Sequence, residues 1–276
     1  MHANAFVGVR RRDFQRSAED RAVSTFDDYA DKFETIRMTR NDGVLEMHFH
    51  THGGPLVWNL TAHREFEQAF LDVGRDREND VVIMTGTGDA FSGPSIAPGM
   101  HQNRNSMTPT IYDPIYWEAK HLLINLLNIE APVISIINGP AVRHAELPLL
   151  GDIVLASDTA TIQDTAHFQG GMVPGDGMHL IMPLLMGRAR GHYFLLTGQS
   201  ISATEALEMG LVNEVLPPAD LLPRARELAR SMLKQPRLVR RYTRTCLNQE
   251  LKARLHDVLG YGLALEGIAR MKEPAV

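Results

Sequence analysis

The chain has 276 residues, 44% of them hydrophobic and 22% charged, and carries a formal net charge of -5. That length and apolar content are enough to bury a core in one or two domains, and the mild acidity excludes the whole-chain basic field by which nucleic-acid binders attract their partner. A single cysteine, Cys246, excludes an internal disulfide framework and a cysteine-rich zinc site, and is expected to be a small buried or idle thiol in a reducing cytoplasm. No run approaches the roughly 18 consecutive apolar residues of a membrane span. A soluble, cytoplasmic protein with no membrane or nucleic-acid partner is expected.

Residues 1–30 read as an arm, mobile or clasping a neighbouring subunit. Arg10, Arg11, Arg12, Arg16 and Arg21 alternate there with Asp13, Glu19 and Asp20, and the acids speak against a transit peptide. The stretch "FETIRMTR", the turn "NDG" and "VLEMHFHT" predict a β-hairpin. In "TAHREFEQAFLDVGRDREN", Phe66, Phe70 and Val73 stand at helical spacing behind a threonine cap, and "VVIMTGTG" follows as a short buried strand. A second unit repeats the pattern: a long amphipathic helix near residues 111–130, the strand "PVISIING", a short helix from about Glu146 and the strand "DIVLAS". Buried strands alternating with helices predict an α/β fold. "TATIQD" predicts one more strand, and "ISATEALEMGLVNEV" a helix capped by Ser202 and Glu205, stopped at Gly210 and followed by a short strand. Three further helices are expected, broken at Pro223 and Pro236. The last, from about Leu251 to Met271, carries a stripe of Leu255, Leu259, Leu263 and Ile268 for its own core or a neighbouring subunit.

The chemistry-bearing pair is His167 and Asp176, within "DTAHFQGGMVPGDGMH". An imidazole held by a carboxylate makes a general base near neutral pH, although such spacing also suits two solvated loop residues. No metal-spaced cluster of the His-Glu-x-x-His kind occurs, so neither metal nor organic cofactor is expected.

The blocks "TGTGDAFSGPSIAPG", "PVISIINGPA", "ELPLLGDIVLASDTATIQD", "GGMVPGDG" and "LLTGQSISATEALEMGLVNEVLP" resemble, in order and over about residues 34–270, the crotonase (enoyl-CoA hydratase/isomerase) superfamily. The resemblance implies an α/β spiral of repeated ββα units over residues 31–217, and a helical C-terminal region over 218–276 that builds trimers, often stacked as hexamers. Crotonases usually bind an acyl-CoA thioester and hold its carbonyl with two backbone N–H groups. Here the first donor position falls on Pro94, which has no N–H, and losing one such donor typically costs about 2.7–4 kcal/mol. Around the second, "NGPAVRHAELP" sets Arg143 and His144 where small residues are expected. Of the two hydratase glutamate positions, one falls on His167 and the other on Glu146.

A narrower resemblance fits these departures. The chain is similar to the β-diketone hydrolases typified by 6-oxocamphor hydrolase, crotonase-fold enzymes that cleave a carbon–carbon bond between two ketones without CoA. The functional positions this implies fall on His167, Asp176, His144, Trp58 and Glu266, with His63 and Met100 as further candidates for contact with a diketone substrate. The expected mechanism has Asp176 fix the tautomer of His167, whose other nitrogen deprotonates water. His144 and the Trp58 indole N–H would hold the two carbonyl oxygens, and Glu266 would orient or charge His144. The proton would return to carbon through His167 or His63. Plainer roles stand beside these: Trp58 as a core aromatic, His144 as a helix cap or partner of Glu146, Glu266 in an intersubunit ion pair, Met100 as core filler, His63 as a surface residue. Two alternative functions are an acyl-CoA hydratase, isomerase or thioesterase, and a non-catalytic or RNA-binding member of the superfamily.

Overall fold

Turn chemistry starts the fold. In the structure, a computed structural model that describes residues 24–93 and 107–271, strands β1 (Ile36–Asn41) and β2 (Val44–Phe49) pair antiparallel. Asp42 and Gly43 between them both take positive φ, 48° and 78°, as a tight hairpin turn requires. Just before this hairpin, α1 (Phe26–Tyr29) buries Tyr29, whose hydroxyl donates to Asp76 and accepts from Asn79, each at 2.8 Å. The last turn of the expected arm is therefore part of the core; residues 1–23 lie outside the described residues, as do Pro94 and Met100.

From β2 the chain runs through β3 (Val81–Gly86), β4 (Val133–Ile137), β5 (Ile153–Ser157) and β8 (Glu214–Leu216), each parallel to its predecessor, giving a sheet of order β1-β2-β3-β4-β5-β8. β3 and β4 are buried at every position because helices cover both faces. On one face Val82, Met84 and Val133 pack with Phe66 and Phe70 of α2 (Leu60–Arg75) and Leu126 of α3 (Pro109–Asn128). On the other, Ile83, Ile134 and Leu155 meet Leu221, Ala225 and Ala229 of α8 (Pro218–Leu233).

A second ladder runs beside this sheet. Ser92, beyond β3, bridges Ala141, beyond β4; Ala141 bridges Ile162 in β6 (Thr161–Ile162), which pairs with β7 (Ile201–Ser202). Each turn of the chain thus lays one strand in the main sheet and one step in the second ladder, the expected spiral. Between and beyond these lie α4 (Glu146–Leu149), α5 (Met178–Met186), α6 (Arg188–Thr197) and α7 (Ala203–Glu208), the last with the expected Ser202–Glu205 capping box.

Three local expectations are corrected. The cap of α2 is Asn59, whose side chain accepts from the N–H of Ala62 at 2.8 Å, not a threonine. Pro223 does not break α8: it forfeits one backbone bond, while Leu221, Ala225 and Ala229 keep their burial against the sheet. The region after β8 is two helices, not three, because α9 (Arg237–Arg270) is continuous over 34 residues, about 50 Å. Its Arg244 is buried, bonds Asp152 at 2.6 Å and donates to the Ile129 carbonyl at the end of α3, locking the two helices together. Of the stripe, Leu255, Leu259 and Leu263 are buried in the chain's own core while Ile268 is 65% exposed, and of the two readings of Cys246 its exposure removes the buried one. Among the described residues, no helix is long and apolar enough to cross a membrane.

Candidate active site

Successive steps of the second ladder end at one place. The loop after Ala141 delivers His144, and the loop after Ile162 delivers His167, side by side because Thr165 Oγ1 donates to the Val142 carbonyl at 2.8 Å. His144 adopts a left-handed backbone, φ 50°, unusual for a non-glycine residue. Its turn is pinned by Ser92 Oγ, which donates to the Arg143 carbonyl. Asp176 comes from the glycine-rich loop, and Glu266 from α9. The loop lies against α9 because neither Gly175 nor Gly262 carries a side chain there: a Cβ on Gly175 would stand 2.2 Å from the Gly262 carbonyl oxygen. Asp176 and Glu266 therefore share one wall.

His167 is almost fully buried between two carboxylates. Asp164 receives its Nδ1 at 3.0 Å from each carboxylate oxygen, and also accepts the backbone N–H of Ala166 and of His167, at 3.1 and 3.2 Å. Nε2 lies 3.1 Å from Asp176 Oδ2. His144 Nδ1 lies 2.7 Å from Glu146 Oε1 and 3.5 Å from Asp176 Oδ2. The Trp58 ring stacks on His144, centroids 4.0 Å apart at 35°, while His63 meets Trp58 edge-on and bonds Glu118 at 2.9 Å. Among the described residues Trp58, His63, His144, His167, Asp176 and Glu266, with Met107, Ile111, Tyr112, Arg143 and Arg270, line a cavity of about 150 Å³.

Burial opposes charge on His167, but Asp176 and Asp164 outweigh it and hold the imidazole well above its ordinary value. Burial likewise opposes ionisation of Asp176, yet the neighbouring His167 keeps that carboxyl well below the usual carboxylate range. For His144, burial is overcome by Glu146 and then Asp176, so its value rises; burial also raises Glu146, against His144. Burial, reinforced by the charge of Asp176, pushes Glu266 up to about 7.

The cavity gathers His167, Asp176, His144, Glu266, Trp58 and His63; Met100 lies outside the described residues. Two expected roles change. Asp164, not Asp176, bonds Nδ1 and sets the tautomer, leaving Asp176 beside Nε2. Glu146, not Glu266, orients His144; the ion-pair partner of Glu266 is Arg270, at 3.6 Å. His63 lies in the cavity wall, where its expected contact with substrate places it, held there by Glu118; the plainer surface role is the one that falls. Trp58 is both a core aromatic and cavity wall, 3% exposed and edge-on to Phe66. The available signal for Asp164 was its place three residues before His167, the spacing at which an aspartate caps the turn that carries the ring. Among the described residues, His144, Glu146 and Asp176 have ligand atoms close enough to hold a metal ion, but His144 Nδ1 and Asp176 Oδ2 already engage Glu146 and His167 respectively.

Residues 39–265 match the family described as Enoyl-CoA hydratase/isomerase. Carnitinyl-CoA dehydratase of Escherichia coli K12 is 30% identical over 204 residues, covering 72% of this chain and 75% of that protein; the same enzyme of Salmonella arizonae is 31% identical with the same coverage. Among solved structures, a β-diketone hydrolase from the cyanobacterium Anabaena sp., bound to (S)-3-oxocyclohexyl acetic acid, is 47% identical, covers 87% of this chain and 95% of its own, and superposes with a TM-score of 0.83. An enoyl-CoA hydratase/isomerase from Mycobacterium paratuberculosis is 25% identical at the same coverage, with a TM-score of 0.80.

Proposed function

We propose that this chain, which belongs to the enoyl-CoA hydratase/isomerase family, is a hydrolase that cleaves the carbon–carbon bond of a β-diketone with water and without CoA. The observation that carries the reading is His167, a side chain lining the cavity whose Nδ1 is held by Asp164 while its Nε2 lies beside Asp176, itself a lining residue. In its neutral form Nε2 takes a proton from water, and the hydroxide adds to one carbonyl carbon of the diketone. The imidazolium so formed is stabilised by both carboxylates. His144, polarised by Glu146 and braced by Trp58, donates from its other ring nitrogen to the oxyanion, a side-chain substitute for the donor that Pro94 lacks. The tetrahedral adduct expels the α-carbon, whose electron pair passes onto the second carbonyl as an enolate. The proton on His167 then goes to that carbon, leaving a keto acid and neutral His167.

A cavity of about 150 Å³ suits a single six-membered ring. The keto acid bound by the Anabaena enzyme has such a ring, and is what addition of water across a bicyclic 1,3-diketone would release. The substrate class is accordingly a compact cyclic or bicyclic diketone. The second reading, an acyl-CoA hydratase, draws on the carnitinyl-CoA dehydratase relatives and on Glu146. Against it, Glu146 is bonded to His144 and one oxyanion donor position is a proline. The exposed Leu238, Val239, Tyr242 and Leu247 of α9 support an interface with another copy, and the family resemblance is what makes the proposed assembly a homotrimer or dimer of trimers.

The test follows loss of ultraviolet absorbance from a panel of cyclic and linear 1,3-diketones, without CoA, for wild type and His167→Ala. Cleavage to a keto acid that the variant loses is expected. No reaction, or equal rates in the variant, overturns the reading.

A further inference from the structure

One wall of the cavity is basic and incompletely satisfied. Arg270, in the last turn of α9, lines the cavity with a side chain only 18% exposed. Its ion pair with Glu266 is long, 3.6 Å, and both Arg270 Nε and Glu266 Oε2 are buried with no hydrogen-bond partner among the described residues. Buried guanidinium donors left unbonded are costly unless a ligand meets them.

We propose that Arg270 and Glu266 form a carboxylate-binding subsite that receives the acid group of the product once cleavage has freed that arm to turn away from His144. The proposal rests on the diketone reading only for the name of its ligand. Hydrolysis turns a neutral diketone into an anion, and a guanidinium grips a carboxylate through two parallel N–H···O bonds. Glu266 in its acid form adds an O–H donor through the carboxyl that now lacks a partner. Because burial and the charge of Asp176 hold Glu266 near 7, it leaves the Arg270 charge uncompensated below that pH. Above it, the Glu266 carboxylate cancels Arg270 and repels the ligand. The other charged or titratable groups facing the cavity are Arg143, His63, His144, His167, Asp176 and Tyr112. Arg143 and the two raised histidines offset Asp176, so the cavity as a whole does not repel an anion. A purely structural Arg270, interacting with the C-terminal end of α9, would contribute to stability and not discriminate between ligands.

Calorimetry on the full chain tests this with two probes of one shape, cyclohexylacetate and cyclohexylacetamide, at about pH 6 and about pH 8, where the acid probe is ionised throughout. Wild type is expected to bind the carboxylate at least tenfold more tightly than the amide at the lower pH, and the advantage shrinks at the higher. Arg270→Met abolishes the preference while amide affinity persists, which also reports that the variant is folded; Arg270→Lys restores part of it. Glu266→Gln keeps the preference at both pH values. No preference in wild type, a preference that survives Arg270→Met, or a pH dependence that survives Glu266→Gln overturns the proposal. The readout is equilibrium binding, so absence of diketone turnover would refute the hydrolase reading and leave this result to stand or fall by itself.

Discussion

Asp164→Asn isolates the feature that sequence reasoning missed. The asparagine keeps one oxygen for the backbone N–H groups of Ala166 and His167, so the turn is retained, but the charge facing Nδ1 is lost. A hydrogen bond to a charged group is worth about 1.5–3 kcal/mol, which at about 1.4 kcal/mol per decade corresponds to a ten- to hundredfold fall in kcat/KM for diketone cleavage. The pH profile carries the sharper signal. His167 is raised because Asp176 and Asp164 overcome burial, so wild-type activity should climb with pH on the alkaline side of a free imidazole as the neutral base accumulates. With one carboxylate gone, that limb moves to lower pH even as the plateau falls. Stability follows the same linkage. A histidine raised in the folded state stabilises it fully below about 6.5, and that contribution disappears as pH rises through the folded value. The variant should therefore be destabilised most in acid, and the difference from wild type should close as pH rises. An unmoved limb, together with a stability difference independent of pH, would refute the view that Asp164 tunes His167.

Glu146→Gln removes the charged acceptor of His144 Nδ1 at 2.7 Å and should cost about tenfold or more in kcat/KM. Combined with His144→Ala it should add little further loss in a double-mutant cycle, whereas independent additivity would show that Glu146 does not act through His144. Gly175→Ala would put a methyl group 2.2 Å from the Gly262 carbonyl oxygen, a backbone contact no rotamer relieves. About 1–3 kcal/mol of overpacking is expected in denaturant unfolding, with a loss of activity because Asp176 moves with the loop; wild-type stability would contradict the close approach.

The elements that the sequence made legible are those set by local chemistry. Alternation with Asn41, Asp42 and Gly43 sufficed for the hairpin, and Ser202 with Glu205 for the capping box. The second ladder was not legible, because Ser92 and Ala141 contribute isolated bridges with no period to read. The continuity of α9 was hidden for a different reason. Its first half buries Arg240, Arg241 and Arg244, which look solvated in sequence but bond Asp80, Asp152 and the Asn79 and Ile129 carbonyls, all far along the chain. In the site, residue types were readable while partnerships were not. His167, Asp176, His144 and Glu266 converge, but which carboxylate meets which nitrogen depends on loop packing, and Asp164 and Glu146 took roles assigned by expectation to Asp176 and Glu266.

The exchange of partners has a structural cause in the spiral itself. The loops after Ala141 and after Ile162 end at the same cavity, so His144 and His167 line it together. A left-handed turn past Ala141 is a conformation that glycine adopts at no steric cost; here His144 holds it at φ 50°, braced by Trp58 and Glu146. Holding a bulky residue there is unfavourable for the backbone, on the order of 1–3 kcal/mol, and it swings an imidazole into the cavity. The same turn with a small residue would offer only backbone. On the proposed reading, the side chains that these two loops carry decide whether backbone amides or imidazoles meet the reacting carbonyl.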